Sequence, residues 1–366
     1  LNVLLSGYCP IKRLLLNRCG LGLKGGIELF ENIYSNLYLE ELFVNGNNLS
    51  DGCMNDIISY INNIPICKLR ILSLGDNSLT TNSLSSLGHA LKLKRNKYLH
   101  TIHIQDNCQS ELNPNINMLV TGDEAADDIC NAMTCNHSIN TLNMNNCNLF
   151  NCIWADHLRI CTNINTLYLA NNQINDKGMQ LLCDAIAINC SIRYCDISNN
   201  TINGKIIASS VGNMIRTNQT LRYLNISGNI LNDEGWSGIG FGLGLNKSLI
   251  TLDCQWCELS LRNGEVLINS LAINPIVSIN MHNNPLPVDM YTSPRGYKIL
   301  PKDVVKGRTV VPTRVNTMRH SASTIDGDGS DIIGGGFTMN ISRSNTAATA
   351  NTNTANSRSN SRSNTP

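Results

Sequence analysis

A repeat constrains this chain more than any other feature. Ile164, Leu167, Leu169, Asn172 and Ile174 fit the frame L-x-x-L-x-L-x-x-N-x-L, with Leu and Ile interchanged. The frame returns at Leu39, Leu42, Val44, Asn47 and Leu49, at Leu69, Leu72, Leu74, Asn77 and Leu79, and at Leu221, Leu224, Ile226, Asn229 and Leu231. Weaker copies centre on Cys19, Asn107, Cys147, Asn200, Cys257 and Asn284, making ten copies in all. Successive anchors are 25 to 30 residues apart except for one gap of 40, between Asn107 and Cys147. A unit of this length cannot bury its apolar face alone, so copies must stack on one another. The long gap predicts an inserted loop near 109–121, where Pro114 and several Asn break the pattern.

Within each unit, Leu-x-Leu reads as a short strand buried on one face. The anchor Asn turns the chain inward, and its amide can satisfy backbone groups of neighbouring turns. A polar turn and an apolar periodic stretch follow. Asn175-Asp176-Lys177-Gly178 leads into Met179, Leu182 and Ile186, and Asn232-Asp233-Glu234-Gly235 leads into Trp236, Ile239 and Leu243. The Asn and Asp residues there are helix N-cap signals. The expected fold is an α/β solenoid shaped as a horseshoe, with parallel strands on its concave face and helices on its convex face. It should occupy residues 1–287, with an irregular flank over 288–315 and a disordered Ser/Asn/Thr/Arg-rich tail over 316–366. Leu1 to Tyr8 read as the tail of a repeat helix, which leads us to expect further sequence upstream.

The frame resembles the long leucine-rich repeat of the ribonuclease-inhibitor type. Ribonuclease inhibitor, the C-terminal regions of NOD-like receptors and the Ran GTPase-activating protein share it. The resemblance spans about Leu1 to Pro287. Proteins with this repeat have unlike functions, so the resemblance implies the repeat architecture and not one activity.

Composition agrees with thin, regular layers: hydrophobic residues are 42% of the chain and aromatic ones only 5%. A net charge of +1 supplies no strong field toward nucleic acid or an acidic surface. The chain has 15 cysteines, an odd number, mostly at places where Leu, Ile or Asn would fit. Free thiols acting as small apolar fillers are the favoured reading, which points to a reducing, cytoplasmic setting. Sequons at Asn48, Asn136, Asn218, Asn225 and Asn246 are expected by chance in so Asn-rich a chain, and Asn225 falls inside a strand. No apolar run approaches the roughly 20 residues of a membrane span.

Other motifs have simpler readings in the repeat frame. Cys254-x-x-Cys257 puts one thiol in the strand core and the other at an anchor, so no zinc or redox role is expected. The glycines of Gly238 to Gly244 lack phosphate-loop spacing and fall where a helix should pack closely on its neighbours. Asp326-Gly-Asp-Gly-Ser330 opens like a calcium loop, but Phe337 stands where the closing Glu is needed. The Ser-Arg-Ser triplets near Ser342, Ser357 and Ser361 could be phosphorylated, though low-complexity drift explains them as well. No histidine pair or nucleophile motif is present to carry an enzyme, and no cofactor or metal is implied.

The residues flanking the inner Leu should point away from the core. Tyr168, Tyr194, Tyr223 and Trp256 then fall on four consecutive repeats, with Asp196 and Asp253 among them. Neighbouring strands are about 4.8 Å apart, so these side chains could form one patch. Exposed Tyr and Trp beside charge have the composition of a protein-binding hot spot. The competing reading is a strand-face ladder of rings packed on each other. The expected role is a monomeric, non-catalytic scaffold or sensor that binds a protein partner through its concave face. The alternatives are a GTPase-activating role or the ligand-sensing part of a NOD-like receptor.

Overall fold

In the computed structural model, the structure describes residues 10–62, 67–93, 97–108, 112–113, 118–119, 121–200, 205–231, 233–274, 278–287, 299–300, 304–305 and 308–309. Strand and helix alternate. The order begins β1 (Arg13–Leu15), α1 (Gly22–Ile33), β2 (Glu41–Phe43), α2 (Met54–Ile61), β3 (Ile71–Ser73), α3 (Thr81–Lys92) and β4 (Thr101–His103). Two short strands follow, β5 (Leu112–Asn113) and β6 (Met118–Leu119), then α4 (Asp123–Met133), β7 (Thr141–Asn143) and α5 (Ala155–Ile160). The array continues as β8 (Thr166–Tyr168), α6 (Asp176–Ile188), β9 (Tyr194–Asp196), α7 (Lys205–Thr217), β10 (Tyr223–Asn225), α8 (Asp233–Leu245), β11 (Thr251–Asp253), α9 (Leu261–Ile273) and β12 (Ser278–Asn280). It ends with β13 (Ile299–Leu300), β14 (Val304–Val305) and β15 (Arg308–Thr309).

The strands of the repeats form one parallel sheet in chain order, as the frame requires. The middle residue of each repeat strand after β1 is buried: Leu42, Leu72, Ile102, Leu142, Leu167, Cys195, Leu224, Leu252 and Ile279 are all 0% exposed, whereas Leu14 in the terminal β1 is half-buried. Parallel strands need a crossover between them, and the helices supply it. The result is an α/β leucine-rich-repeat solenoid.

Two departures from expectation concern the stretches outside the frame. The insertion after Asn107 is not simply a loop: β5 and β6 pair there as an antiparallel hairpin, Leu112 opposite Leu119. The flank after Pro287 is not wholly irregular either. There β13 adds an eleventh strand beside β12, with Ile279 opposite Ile299, and β14 pairs with β15. A bare sheet edge exposes unpaired N–H and C=O groups, and β13 covers them at β12. The tail, its calcium-like and Ser-Arg-Ser motifs, and the helix tail at Leu1 to Tyr8 lie outside the described residues.

Asparagine holds the stack together in two separate ladders. The first is the anchor ladder. Asn172 donates from Nδ2 to its own repeat at Leu169 O (2.9 Å) and to the preceding repeat at Met144 O (3.0 Å). Its Oδ1 accepts from Cys147 N at 2.9 Å. Cys147 and Cys257 fill the same slot with thiols that reach carbonyls of the preceding repeat, Ile104 O at 3.3 Å and Ile226 O at 3.5 Å.

The second ladder lies ahead of the strands and was not anticipated. Asn189 accepts from Ser191 N and Ile192 N at 2.8 and 2.7 Å, and donates to Leu158 O and Cys161 O at 2.6 and 2.9 Å. Asn218 and Asn246 repeat this arrangement, and Asn136 makes part of it. The hydroxyl two residues on completes each rung, with Ser191, Thr220 and Ser248 each donating to a carbonyl of the preceding repeat at 3.1 Å. The sequons at Asn136, Asn218 and Asn246 are therefore buried structural rungs rather than chance. Their amide nitrogens are bonded to protein and out of reach of a glycan.

The glycine run in α8 is where two helix backbones meet. A Cβ added at Gly212 in α7 would lie 2.4 Å from the carbonyl of Gly238, and one at Gly242 would lie 2.4 Å from Gly212 O. Gly212→Ala should therefore destabilise by about 1–3 kcal/mol through overpacking, despite its better helix propensity. Gly244 is different, because its added Cβ would meet Ile273 at an ordinary 3.5 Å. Gly244→Ala should raise stability by up to ~1 kcal/mol. Urea titration of the two variants separates close packing from a generic glycine effect, since the signs are opposite.

Candidate functional site

The strand face turned away from the helices carries the candidate residues. Alternation along β8, β9 and β10 leaves their outer residues half-buried around a buried centre. Register then decides which side chains are neighbours. Tyr194 stands opposite Tyr223, and Tyr168 stands opposite Asp196. In the next column Asn225 lies between Asp196 and Asp253, with Asn280 beyond.

Three of the four predicted rings come together. Tyr194 and Tyr223 are stacked, with centroids 4.4 Å apart and planes inclined by 1°. Tyr168 leans on Tyr194 at 5.1 Å and 51°. They pack on each other as a strand-face ladder and are half-buried, not freely exposed. Trp256 stands outside this ladder, 65% exposed in the turn after β11.

The two acids differ in their setting. Asp196 accepts from Ser198 N at 3.0 Å and from the Ser198 hydroxyl at 2.6 Å. Asp253 is not exposed as expected. It is 6% exposed, because Tyr223 lies over it and donates its hydroxyl to Asp253 Oδ2. Asp253 Oδ1 is buried with no hydrogen-bond partner among the described residues. Burial pushes both carboxyls above the ordinary carboxylate range, and the charge of Asp253 adds to the rise at Asp196. His282 lies near enough to Asp253 to ease its ionisation. Burial also pushes the hydroxyls of Tyr168, Tyr194 and Tyr223 upward, so all three remain proton donors.

The turn needs an acceptor in this column but not a charge. Asn143 and Asn225 accept the same backbone bond, from Asn145 N and Ser227 N, each at 3.0 Å. Folded Asp196 holds its proton more tightly than the unfolded chain does. Its contribution to stability is therefore present in acid and is lost as pH rises through its folded value. Asp196→Asn should raise the melting temperature at pH 8, and the gain should shrink toward pH 4. A loss of stability at pH 8 would contradict the assigned cause.

Backbone geometry marks Trp256 further. The residue before every anchor shares one conformation: Arg18, Asp76, Asp106, Asn146, Asn171, Asn199 and Asn283 have φ between 51° and 61°, while Gly46 and Gly228 have 67° and 70°. Gly, Asn and Asp tolerate this left-handed region, and other residues pay about 1–2 kcal/mol. Trp256 is held there at φ 55°. A large exposed ring kept at a conformational cost is characteristic of functional surfaces.

The Cys254 and Cys257 thiols are taken up in the packing of the repeats. Cys254 and Cys257 are both 0% exposed and donate to Asn280 O and to Ile226 O and Gln255 O. All fourteen described cysteines are free. Among the described residues no cluster of three or more His, Cys, Asp or Glu is placed to hold a metal ion, and no helix is long and apolar enough to cross a membrane.

Comparison with known proteins agrees with this geometry. The leucine-rich-repeat family model matches residues 161–183 and 217–240. NACHT, LRR and PYD domains-containing protein 3 of Rattus norvegicus is 26% identical over 230 residues, which is 62% of this chain and 21% of that protein. Protein 5 of the same name series from Bos taurus is 27% identical over 247 residues, 64% of this chain and 20% of that protein. The chain thus spans about a fifth of the length of these relatives. Among solved structures, the leucine-rich repeat-containing protein LegL7 from Legionella pneumophila aligns with a TM-score of 0.47 at 14% identity, over 74% of this chain and 81% of that one. The parallel strand-and-helix array, its asparagine anchors and the matched repeats identify the chain as a leucine-rich-repeat protein of the ribonuclease-inhibitor type.

Proposed function

We propose that this chain is a non-catalytic interaction module that holds a protein partner on the strand face of its C-terminal repeats. Tyr168, Tyr194 and Tyr223 form the wall of the site, Trp256 is its exposed anchor, and Asp196 and Asp253 supply its polar contacts. The observation that carries this reading is Trp256, exposed in a strained conformation next to a preformed ladder of rings. Aromatic anchors dominate protein interfaces. Rigid repeats lose little conformational freedom on binding, which supports affinity. The buried free thiols support a reducing setting such as the cytosol.

Trp256→Asn restores the residue type common in its column, so it removes the anchor without a folding cost. Chemical cross-linking in a cytosolic extract, followed by quantitative mass spectrometry, should show partner capture falling by about tenfold or more in Trp256→Asn and in Tyr194→Ala, as expected of hot-spot residues. Unchanged capture in both variants would remove the assigned surface. The NACHT, LRR and PYD relatives favour a second reading, in which this module is the sensing part of a larger receptor.

A further inference from the structure

We propose that the strand-face site is a seat for a cationic side chain, and that the partner enters it with an arginine-bearing basic segment. This rests on the strand face being the interaction surface. The first argument is how the protein treats its other charges. On and beside the N-terminal strands several are paired internally: Arg13 with Glu41 at 3.0 Å, Lys12 with Glu40 at 3.2 Å, and Arg70 with Glu40 at 3.6 Å. Arg13 also lies over the Phe43 ring, 5.5 Å from its centroid. At the C-terminal site, by contrast, neither Asp196 nor Asp253 forms an ion pair with a Lys or Arg among the described residues. The protein thus completes one ring-and-carboxylate arrangement with its own arginine, whereas among the described residues the other has no Lys or Arg and only His282 as a nearby cation source.

The second argument is replaceability. Asn143 and Asn225 meet the local hydrogen-bonding need without charge. The carboxylate at Asp196 is therefore surplus to the turn, and the fold bears the desolvation of both acids. The third is placement. Asn225 lies between Asp196 and Asp253 in register, so the two acids are about 10 Å apart by strand spacing. A cation above Asn225 would face both. The stacked Tyr194 and Tyr223 rings border that point from the neighbouring column and wall it off on that side. Arginine suits the site better than lysine, because its planar, weakly hydrated group donates several hydrogen bonds in fixed directions and can face two carboxylates. Tyr223 takes Asp253 Oδ2, and Oδ1 is buried with no hydrogen-bond partner among the described residues, which leaves one acceptor for a donor from outside.

The test titrates the full chain with tetra-arginine at low salt and pH 7.5, read by calorimetry and by fluorescence of Trp256, the other two tryptophans being fully buried. Tetra-citrulline serves as the neutral isostere. Tetra-arginine should bind saturably, tetra-citrulline should not, and the double variant Asp196→Asn/Asp253→Asn should weaken binding by about tenfold or more. A raised melting temperature in that variant would show that it is folded. Equal binding of tetra-citrulline, or full affinity in the folded double variant, would overturn the proposal. Partner capture separates the two levels. If Trp256→Asn abolishes capture while the double variant captures fully, the surface stands and its cationic ligand is wrong. If neither variant affects capture, both readings fall.

Discussion

Asn77→Ala should lower the free energy of unfolding by roughly 3–5 kcal/mol, the sum expected for several buried backbone groups left without partners. Asn77 is 0% exposed and is the third anchor of the ladder, with an asparagine anchor on either side. Its Nδ2 donates to Val44 O at 3.0 Å, Leu74 O at 2.9 Å and Gly75 O at 3.1 Å. Its Oδ1 accepts from Asn47 N at 3.0 Å and more weakly from Leu49 N at 3.4 Å. Alanine satisfies none of these and leaves two repeats to find water or reorganise. Asn77→Cys should cost less, about 1–2 kcal/mol, because a thiol still reaches the carbonyls, as Cys147 and Cys257 do. Urea denaturation of the two variants checks the order. Equal losses would mean that volume, not hydrogen bonding, decides the anchor residue.

Asp123→Ala should cost roughly 3 kcal/mol, as the loss of a shared charged acceptor implies. This carboxylate, at the first position of α4, is 4% exposed. It accepts from the backbone of the next repeat at Phe150 N, Asn151 N and Cys152 N, each at 3.0 Å, and from the indole of Trp154 at 3.2 Å. The six-residue α5 that follows is too short to be stable alone. Its entry turn is held by Asp123 and by the fully buried Trp154. Asp123→Asn keeps one acceptor oxygen and should lose about half as much. Hydrogen exchange should show the loss of protection concentrated in residues 150–160. Uniform loss along the chain would contradict the local role.

These two residues differ in how far the sequence reveals them. Asn77 is legible at once, because a polar residue recurring in a fixed place among leucines calls for a buried hydrogen-bonding task. Asp123 is not, since its partners lie 27 to 31 residues away and the 40-residue gap disturbs the spacing just before it. The ladder of Asn189, Asn218 and Asn246 was hidden for another reason. Its Asn-x-Ser/Thr pattern coincides with the glycosylation sequon, and composition offered chance as an adequate account.

The candidate site shows the same division. Which residues face away from the core follows from strand alternation, a local steric rule, so Tyr168, Tyr194, Tyr223 and Asp253 could be placed on one face in advance. Whether neighbours on that face stack, cover or expose one another could not. That Tyr223 closes over Asp253 while Trp256 stays open depends on the lateral fit of adjacent repeats.

Repeat length, strand position, anchor and helix order are properties of about thirty consecutive residues, and the chain's own periodicity settles them before any contact is known. The backbone meeting of Gly212 with Gly238, the hairpin in the long gap, the added strand at Ile299–Leu300 and the burial of Asp253 required the folded structure. Each is a contact between segments whose approach depends on volume and register across repeats, and neither quantity is written in the local pattern of apolar and polar residues.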